Sequence, residues 1–518
     1  MRRIVLLLFA LFAVPSFAQV GTVAFANSGK PEAQEAFRRG MALLHNFEYV
    51  TAAEAFREAQ GADPSFAMAY WGEAMTYTHP IWFQQDAGAA RAVLQRLGAT
   101  PAERLARAGT ERERDYLRTL DVLYGAGEKD ERDFLYADAM AALHARYPGD
   151  VDATAFYALA ILGTAHEGRD FATYMRAASL LEEVFPANTK HPGVLHYLIH
   201  SYDDPVHAPL GMRAARLYGA VAPEAGHALH MTSHIFIAMG MWDDVIDANQ
   251  RAIAVVNRQR AAKSKPAASC GHYPTWLHYA LLQKGSGDEA GKALEACRAS
   301  AFEVPFIPGA PGEQQRYRLE EYAMMRAHQI AGGGALPPAD VAIPNGVEAP
   351  VAQFTLAYAD VLAAARRQDA AMLKSSSARL RSLRQAAVDA GDVGTAANPT
   401  ARIAADVMVQ EADALELLIA STTDAAKRDQ ALKLLEAAAQ SERSMPIEFG
   451  PPVVPKPAAE LLAEQLLAAG RTAEAASAYQ SVLERTPGRK PALEGLLLAN
   501  KAAPEIKTNS KAATPHVH

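Results

Sequence analysis

Apolar residues along this chain recur at three- and four-residue steps, the period of a helix packed on one face, and alternating strand-like runs are almost absent. Residues 33–66 carry the pattern well. Gly40 falls on a first helix where a partner must approach closely, and Ala52 follows on a second helix. Phe56 and Ala59 continue the apolar face of that second helix, and Pro64 ends the unit. Small residues at Gly40 and Ala52 permit a tight crossing, while Phe56 fills the space toward the next pair. The stretch from about Pro457 to Pro487 repeats the scheme. Leu462, Leu466 and Leu467 line one helix, Gly470 and Arg471 make the turn, and Ala475 and Tyr479 stand where Ala52 and Phe56 stood. Between these ends the spacing predicts further helix pairs: 152–167 with 170–184, 192–203 with 209–221, 227–239 with 242–258, 274–284 with 288–300, 350–366 with 368–390, and 401–421 with 424–441. Residues 302–314, 331–350 and 445–457 are rich in proline and glycine and read as loops, because such stretches cannot be helix interiors.

The intervals among Gly40, Ala52, Phe56, Ala59 and Pro64 closely resemble the tetratricopeptide-repeat (TPR) motif. The expected fold is therefore all-α, with TPR-like helical hairpins stacked into a superhelical solenoid. The concave face of such an array, built from the first helix of each pair, is its usual binding surface. The expected organisation is a leader over 1–18, a linker over 19–32 and an N-terminal array over 33–300 that holds the histidine-rich repeats. A loop-rich connection over 301–349, a C-terminal array over 350–501 and a disordered tail over 502–518 complete it.

The leader reading rests on a short pattern. Arg2 and Arg3 precede an uncharged apolar run from Ile4 to Val14, Pro15 breaks it, and Ser16 and Ala18 supply a small-residue cleavage site. The run is too short for a permanent membrane span, and no later segment is apolar enough for one. A periplasmic or secreted protein is expected, with no membrane span after leader cleavage. The net charge of −7 and the lack of a long basic block argue against nucleic acid as a partner. In an exported chain, Cys270 and Cys297 are candidates for one disulfide, with two separate thiols as the alternative.

The chemistry concentrates in the histidines. Nine of the sixteen fall between His191 and His278. His196 and His200 are four apart on one predicted first helix, and His230 and His234 are four apart on the next. His227 precedes His230 by three residues. Residues four apart share a helix face, and equivalent helices of adjacent repeats lie side by side. His196, His200, His230 and His234 are therefore candidate metal ligands, with His278 or His272 completing the set. Neutral imidazole suits zinc and copper. Six histidines from paired helices would also suit a two-copper centre. Asp203, Asp204 and Glu224 are candidate partners of the ligands. The alternative use of the cluster is a polar ligand groove, for which His191, Tyr197, His227 and His272 are the lining candidates. A third use is packing alone. His79 and His166 read as helix ends, and His516 and His518 lie in the tail.

The stretch His191-Pro192-Gly193-Val194-Leu195-His196-Tyr197-Leu198-Ile199-His200, with His227, His230 and His234 after it, resembles a bacterial group of exported TPR proteins carrying HPGxxHYxxH and HxxHxxxH stretches. Gly240-Met241-Trp242 and Gly450-Pro451-Pro452 look like that group too. The resemblance implies the TPR-type fold and names no activity. The chain lacks HExxH, a phosphate-binding loop and a G-x-S-x-G elbow. Cys270-Gly271-His272 sets a thiol beside an imidazole, but chain neighbours seldom have the geometry of a catalytic pair. Two functional readings follow. One is an exported scaffold whose concave groove binds a protein or peptide segment, or a small ligand. The other is a zinc- or copper-dependent enzyme using the same histidines.

Overall fold

Phe56 shows how the first repeat holds together. It sits on α2 (Tyr49–Ala62), between α1 (Gln34–His45) and α3 (Ala67–Met75). Its ring lies against Gly40 of α1 and Gly72 of α3, where a Cβ would stand 2.8 and 2.3 Å from ring atoms. Both neighbours can approach α2 this closely only because they present no side chain there. Ala52 is fully buried on the same helix.

The structure, a computed structural model, describes residues 19–302, 312–337, 342–343, 347–391, 399–419 and 424–502. The expected leader and nearly all of the expected tail, and with them His516 and His518, lie outside the described residues. So do 303–311 in the first expected loop and 420–421 at the end of one expected helix. After α3 comes a two-residue antiparallel hairpin, β1 (Thr78–His79) with β2 (Gln84–Gln85). Next are α4 (Ala87–Leu97), α5 (Pro101–Arg107), α6 (Glu111–Leu123) and α7 (Lys129–Arg146). Capping boxes at Thr100/Glu103 and Thr110/Glu113 start α5 and α6 by satisfying backbone N–H groups that the first helical turn leaves bare. The array continues with α8 (Val151–Leu162), α9 (Phe171–Val184), α10 (Pro192–Tyr202), α11 (Ala208–Val221), α12 (Gly226–Ala238), α13 (Trp242–Ala262) and α14 (His272–Lys284). Asp150 and Asp170 cap α8 and α9 through their side chains.

The chain forms two compact units. The first comprises the helices up to Ala280, joined by the short segment Pro446–Gly450. Within it, successive helices pack on one another from α6 to α13, and α10 also touches α1, α8 and α12. The second unit runs from Leu281 and holds α15 (Gly287–Phe302), α16 (Gly312–Ala331), α17 (Pro350–Arg367), α18 (Ala370–Gly391), α19 (Pro399–Ile419), α20 (Ala425–Ser444), α21 (Ala458–Ala468), α22 (Thr472–Arg485) and α23 (Lys490–Ala502). α16 starts inside the first stretch expected as a loop, at Gly312. In the second unit Tyr479 plays the part of Phe56. Its ring lies against Gly495 of α23, where a Cβ would stand 2.1 Å away. The core of this unit also buries charge: Glu460 accepts hydrogen bonds from Lys456 (2.9 Å) and Arg489 (2.5 and 3.1 Å). Neither cysteine is a free thiol, since Cys270 and Cys297 are both disulfide-bonded.

The architecture is thus all-α helical repeats, as the periodicity predicts. No described helix is long and apolar enough to cross a membrane.

Candidate metal centre

Every residue of α10 and α12 is buried. A helix enclosed on all sides must bury whatever polar residues it carries, and these two carry five histidines. His196 and His200 share one face of α10. His227, His230 and His234 share one face of α12, which packs against α10. His272 begins α14 beside them, its ring centroid 4.6 Å from that of His230.

The turn between α1 and α2 closes one side. Asn46 anchors it, donating to the Val20 carbonyl (2.8 Å) and accepting from the Tyr218 hydroxyl (2.7 Å). Phe47 has φ +56°, a left-handed conformation that costs an aromatic residue energy. That conformation lays its ring 4.2 Å from His196, with His227 and His200 at 5.6 and 5.9 Å. Trp276 stacks on His234 at 4.5 Å, Tyr273 on His230 at 4.6 Å, and Phe449 lies 4.9 Å from His234.

The imidazoles form two trios, His196–His200–His227 and His230–His234–His272. In each, one potential ligand atom per residue lies within 4.8 Å of the others. The Nδ1 atoms are largely committed elsewhere. His196 Nδ1 is 2.6 Å from the His45 carbonyl oxygen, so it carries the proton and donates. Asn249 donates its amide to the Val245 carbonyl (2.9 Å), which turns its oxygen toward His230 Nδ1 at 2.8 Å. His234 Nδ1 donates to Asp203 at 2.9 Å, and His200 Nδ1 lies 3.4 Å from the same carboxylate oxygen. The other Asp203 oxygen pairs with Arg169, whose guanidinium also reaches Asp204 at 3.2 Å.

With Nδ1 protonated, Nε2 of a neutral ring has only its lone pair. Burial holds these rings neutral: it drives His200, His227, His230 and His234 well below the ordinary histidine value, His196 to about 3 and His272 to about 4. The consequences are visible. Nε2 of His196, His200 and His227 is buried with no hydrogen-bond partner. Nε2 of His230 faces Nε2 of His234 at 3.2 Å. Two lone pairs at that distance repel unless a cation lies between or beside them. Three nitrogens on one metal at ordinary bond lengths stand about 3.4 Å apart, so this pair is already spaced for one. Nδ1 held by a carbonyl, amide or carboxylate with Nε2 left open is the usual posture of metal-binding histidine.

The structure distributes the sequence candidates unevenly. His196, His200, His230 and His234 come together as expected. His227, expected in a ligand groove, and His272, expected either there or completing the metal set, stand in the two trios with them. His278 is buried but belongs to neither trio. Six residues beyond His272 on α14, it points about 240° away around the helix. His191 and Tyr197 belong to a separate group. Asp152 accepts from Nε2 of His45 (2.9 Å) and lies 3.3 Å from Nε2 of His191, while the Tyr197 hydroxyl bonds His45 Nδ1 at 3.0 Å. Those nitrogens are satisfied among themselves, which leaves no open lone pair for a metal. Asp203 partners His234 and lies beside His200, Asp204 braces Arg169 and His207, and Glu224 pairs with Arg258 at the surface. His79 stacks on Tyr49 and His166 pairs with Asp133. Sequence reasoning missed His45, Phe47, Asn249, Trp276 and Phe449.

No known protein family matches the sequence, and no curated protein does. Among solved structures, yeast Tom70 is similar over 91% of this chain and 89% of its own, at 12% identity and a TM-score of 0.33. The TPR domain of P58(IPK) is similar over 91% of this chain and 98% of its own, at 11% identity and a TM-score of 0.22. The class rests on the chain's own packing: glycines of flanking helices receive the rings of Phe56 and Tyr479, and successive helices stack in chain order from α6 to α13. By that packing the chain has an all-α, TPR-like helical-repeat fold.

Proposed function

We propose that this chain is an exported helical-repeat metalloprotein that holds a transition metal, zinc or copper, on the imidazoles of α10, α12 and the start of α14. The observation that carries the proposal is the arrangement of Nε2 atoms. Three are buried without a partner, and two more face each other at 3.2 Å with their protons committed to Nδ1. Buried polar atoms are almost always satisfied in folded proteins, and an orphaned set among imidazoles this close together calls for a ligand. Neutral imidazoles with braced Nδ1 atoms supply what zinc and copper require. The leader pattern over 1–18 supports a periplasmic or secreted location.

The test is elemental analysis of tag-free protein purified from the export compartment, beside a His230→Gln/His234→Gln variant. Near-stoichiometric zinc or copper is expected in the wild type and at least a tenfold loss in the variant, with far-UV circular dichroism unchanged. A folded wild type that takes up neither metal would overturn the proposal. It would assign the same imidazoles to a polar cavity for a protein or peptide segment or a small ligand.

A further inference from the structure

The two trios lie side by side. His200 of the first and His234 of the second have ring centroids 5.5 Å apart, and His227 and His230 are 6.0 Å apart. Asp203 braces one ring of each trio through a single oxygen atom. The two candidate sites are therefore adjacent, and paired metals that share a ligand stand about 3.5–4 Å apart. Building on the metal reading above, we propose that the trios form one coupled two-copper centre, and that its ligand is dioxygen bound between the two ions.

Charge selects the metal. Both trios consist of histidine alone, with no carboxylate or thiolate among the donors. Two carboxylates touch them without standing in either trio: Asp203 has one oxygen on Arg169 and the other on His234, and Glu48 accepts from the His227 backbone N–H at 3.2 Å. Two zinc ions would bring four positive charges into a buried space without a bridging anion. Two Cu(I) ions bring two. The cost of desolvating an ion grows with the square of its charge, so the copper pair costs roughly fourfold less to bury. Cu(I) is also content with three neutral nitrogen donors, whereas a zinc ion on three histidines demands a fourth ligand.

Burial selects the ligand. His196 and His230 are fully buried, and the rings of Phe47, Tyr273, Trp276 and Phe449 lie against the trios. A molecule that reaches the space between the metals must be small and tolerate an apolar wall. Dioxygen meets both conditions. Each Cu(I) gives one electron, the two electrons reduce O2 to a bridging dianion, and both ions become Cu(II). The dianion lowers the total charge of the oxidised pair from four to two, the charge that the site held before. No proton is needed, and loss of O2 reverses the electron count.

The experiment loads the metal-free full chain with Cu(I) under anaerobic conditions, counts copper, and admits air while absorption and electron paramagnetic resonance spectra are recorded. Two coppers per chain are expected. On aeration a strong near-ultraviolet band should appear and fade on degassing. The integrated Cu(II) resonance should stay under about a tenth of the bound copper, because neighbouring Cu(II) spins bridged by one ligand pair. His272→Gln, at the half-buried edge of the site, should retain one copper whose resonance becomes fully visible in an oxidant. Wild-type copper that oxidises to a fully visible resonance, or that stops at one ion per chain, would overturn the coupled centre and leave the metal reading intact. Failure to bind copper while zinc binds would also overturn it. Failure to bind either metal would remove both.

Discussion

Asp203 stands one residue past the end of α10 and serves two imidazoles at once. One of its oxygens takes the Nδ1 proton of His234 and approaches Nδ1 of His200, while Arg169 neutralises the other. The carboxylate therefore fixes the tautomer of His234, makes its Nε2 a better donor, and places negative charge beside His200. Asp203→Asn keeps the shape and removes the charge. Metal affinity should fall about 10- to 100-fold in competition titrations with a chromophoric chelator, the usual cost of losing such a partner. Unchanged affinity would reduce Asp203 to a plain ion-pair residue. Much of this site was legible in the sequence, because four-residue spacing on a helix fixes a shared face. His196 with His200 and His230 with His234 follow from that rule alone. The rotation of each helix toward its neighbours does not, so spacing alone places His227 in a groove, leaves His272 between groove and metal set, and counts His278 with the metal. His45, Phe47 and Asn249 approach from the α1–α2 turn and from α13. No local spacing links them to residues so distant in the chain, and the left-handed backbone at Phe47 carries no sequence signature.

At the scale of the helix, one contact recurs. An aromatic ring on a second helix lies against a glycine on the next helix: Phe56 against Gly72 in the first unit and Tyr479 against Gly495 in the second. The same sequence interval separates the partners in both cases, so the array reuses one packing solution near its two ends. A Cβ at Gly72 would stand 2.3 Å from the Phe56 ring, which must then move. Gly72→Ala should destabilise the first unit by about 1–3 kcal/mol through overpacking, less up to ~1 kcal/mol regained in helix propensity. Gly61, exposed near the end of α2, meets nothing within 4 Å. Gly61→Ala should stabilise the protein by about 0.5–1 kcal/mol. Urea denaturation of the two variants measures both, and a Gly72→Ala midpoint at or above that of Gly61→Ala would refute the tight contact. The ends of the array were readable because their small and aromatic residues keep strict intervals. α3 to α7 were not delimited, for identifiable reasons. α3 is buried on every side, so no polar stripe marks its period, and α5 has only seven residues. α16 begins among prolines and glycines that read as loop.

Across the whole molecule, buried histidines outnumber the one raised carboxyl among the described residues of the first unit, Glu48, whereas buried carboxyls dominate the second, and their responses to pH should diverge. In the first unit burial lowers His45, and holds His196 at about 3 and His272 at about 4. Below the ordinary histidine value of 6.5 the unfolded chain binds protons that the metal-free folded unit refuses. Its stability is therefore complete above about pH 6.5 and is lost as pH falls toward those lowered values. In the second unit burial raises Glu442 to about 7 and raises Glu411, which accepts a hydrogen bond from Tyr358. Between the ordinary carboxylate value of 4.5 and about 7 the folded unit binds protons that the unfolded chain has released. That contribution is complete below about 4.5 and is lost as pH rises through 7. Burial works to raise Glu460 as well, but Arg489 and Lys456 outweigh it and hold it at about 2, so its stabilisation weakens only below about pH 4.5. Between pH 5 and 8 the two units should thus move in opposite directions. Hydrogen exchange of the metal-free protein, corrected for the intrinsic rate, should show α10 and α12 losing protection toward pH 5 and α20 and α21 losing it toward pH 8. Protection that falls in both units toward the same end of the range would mean that the buried histidines and carboxyls do not control stability in the way their surroundings dictate.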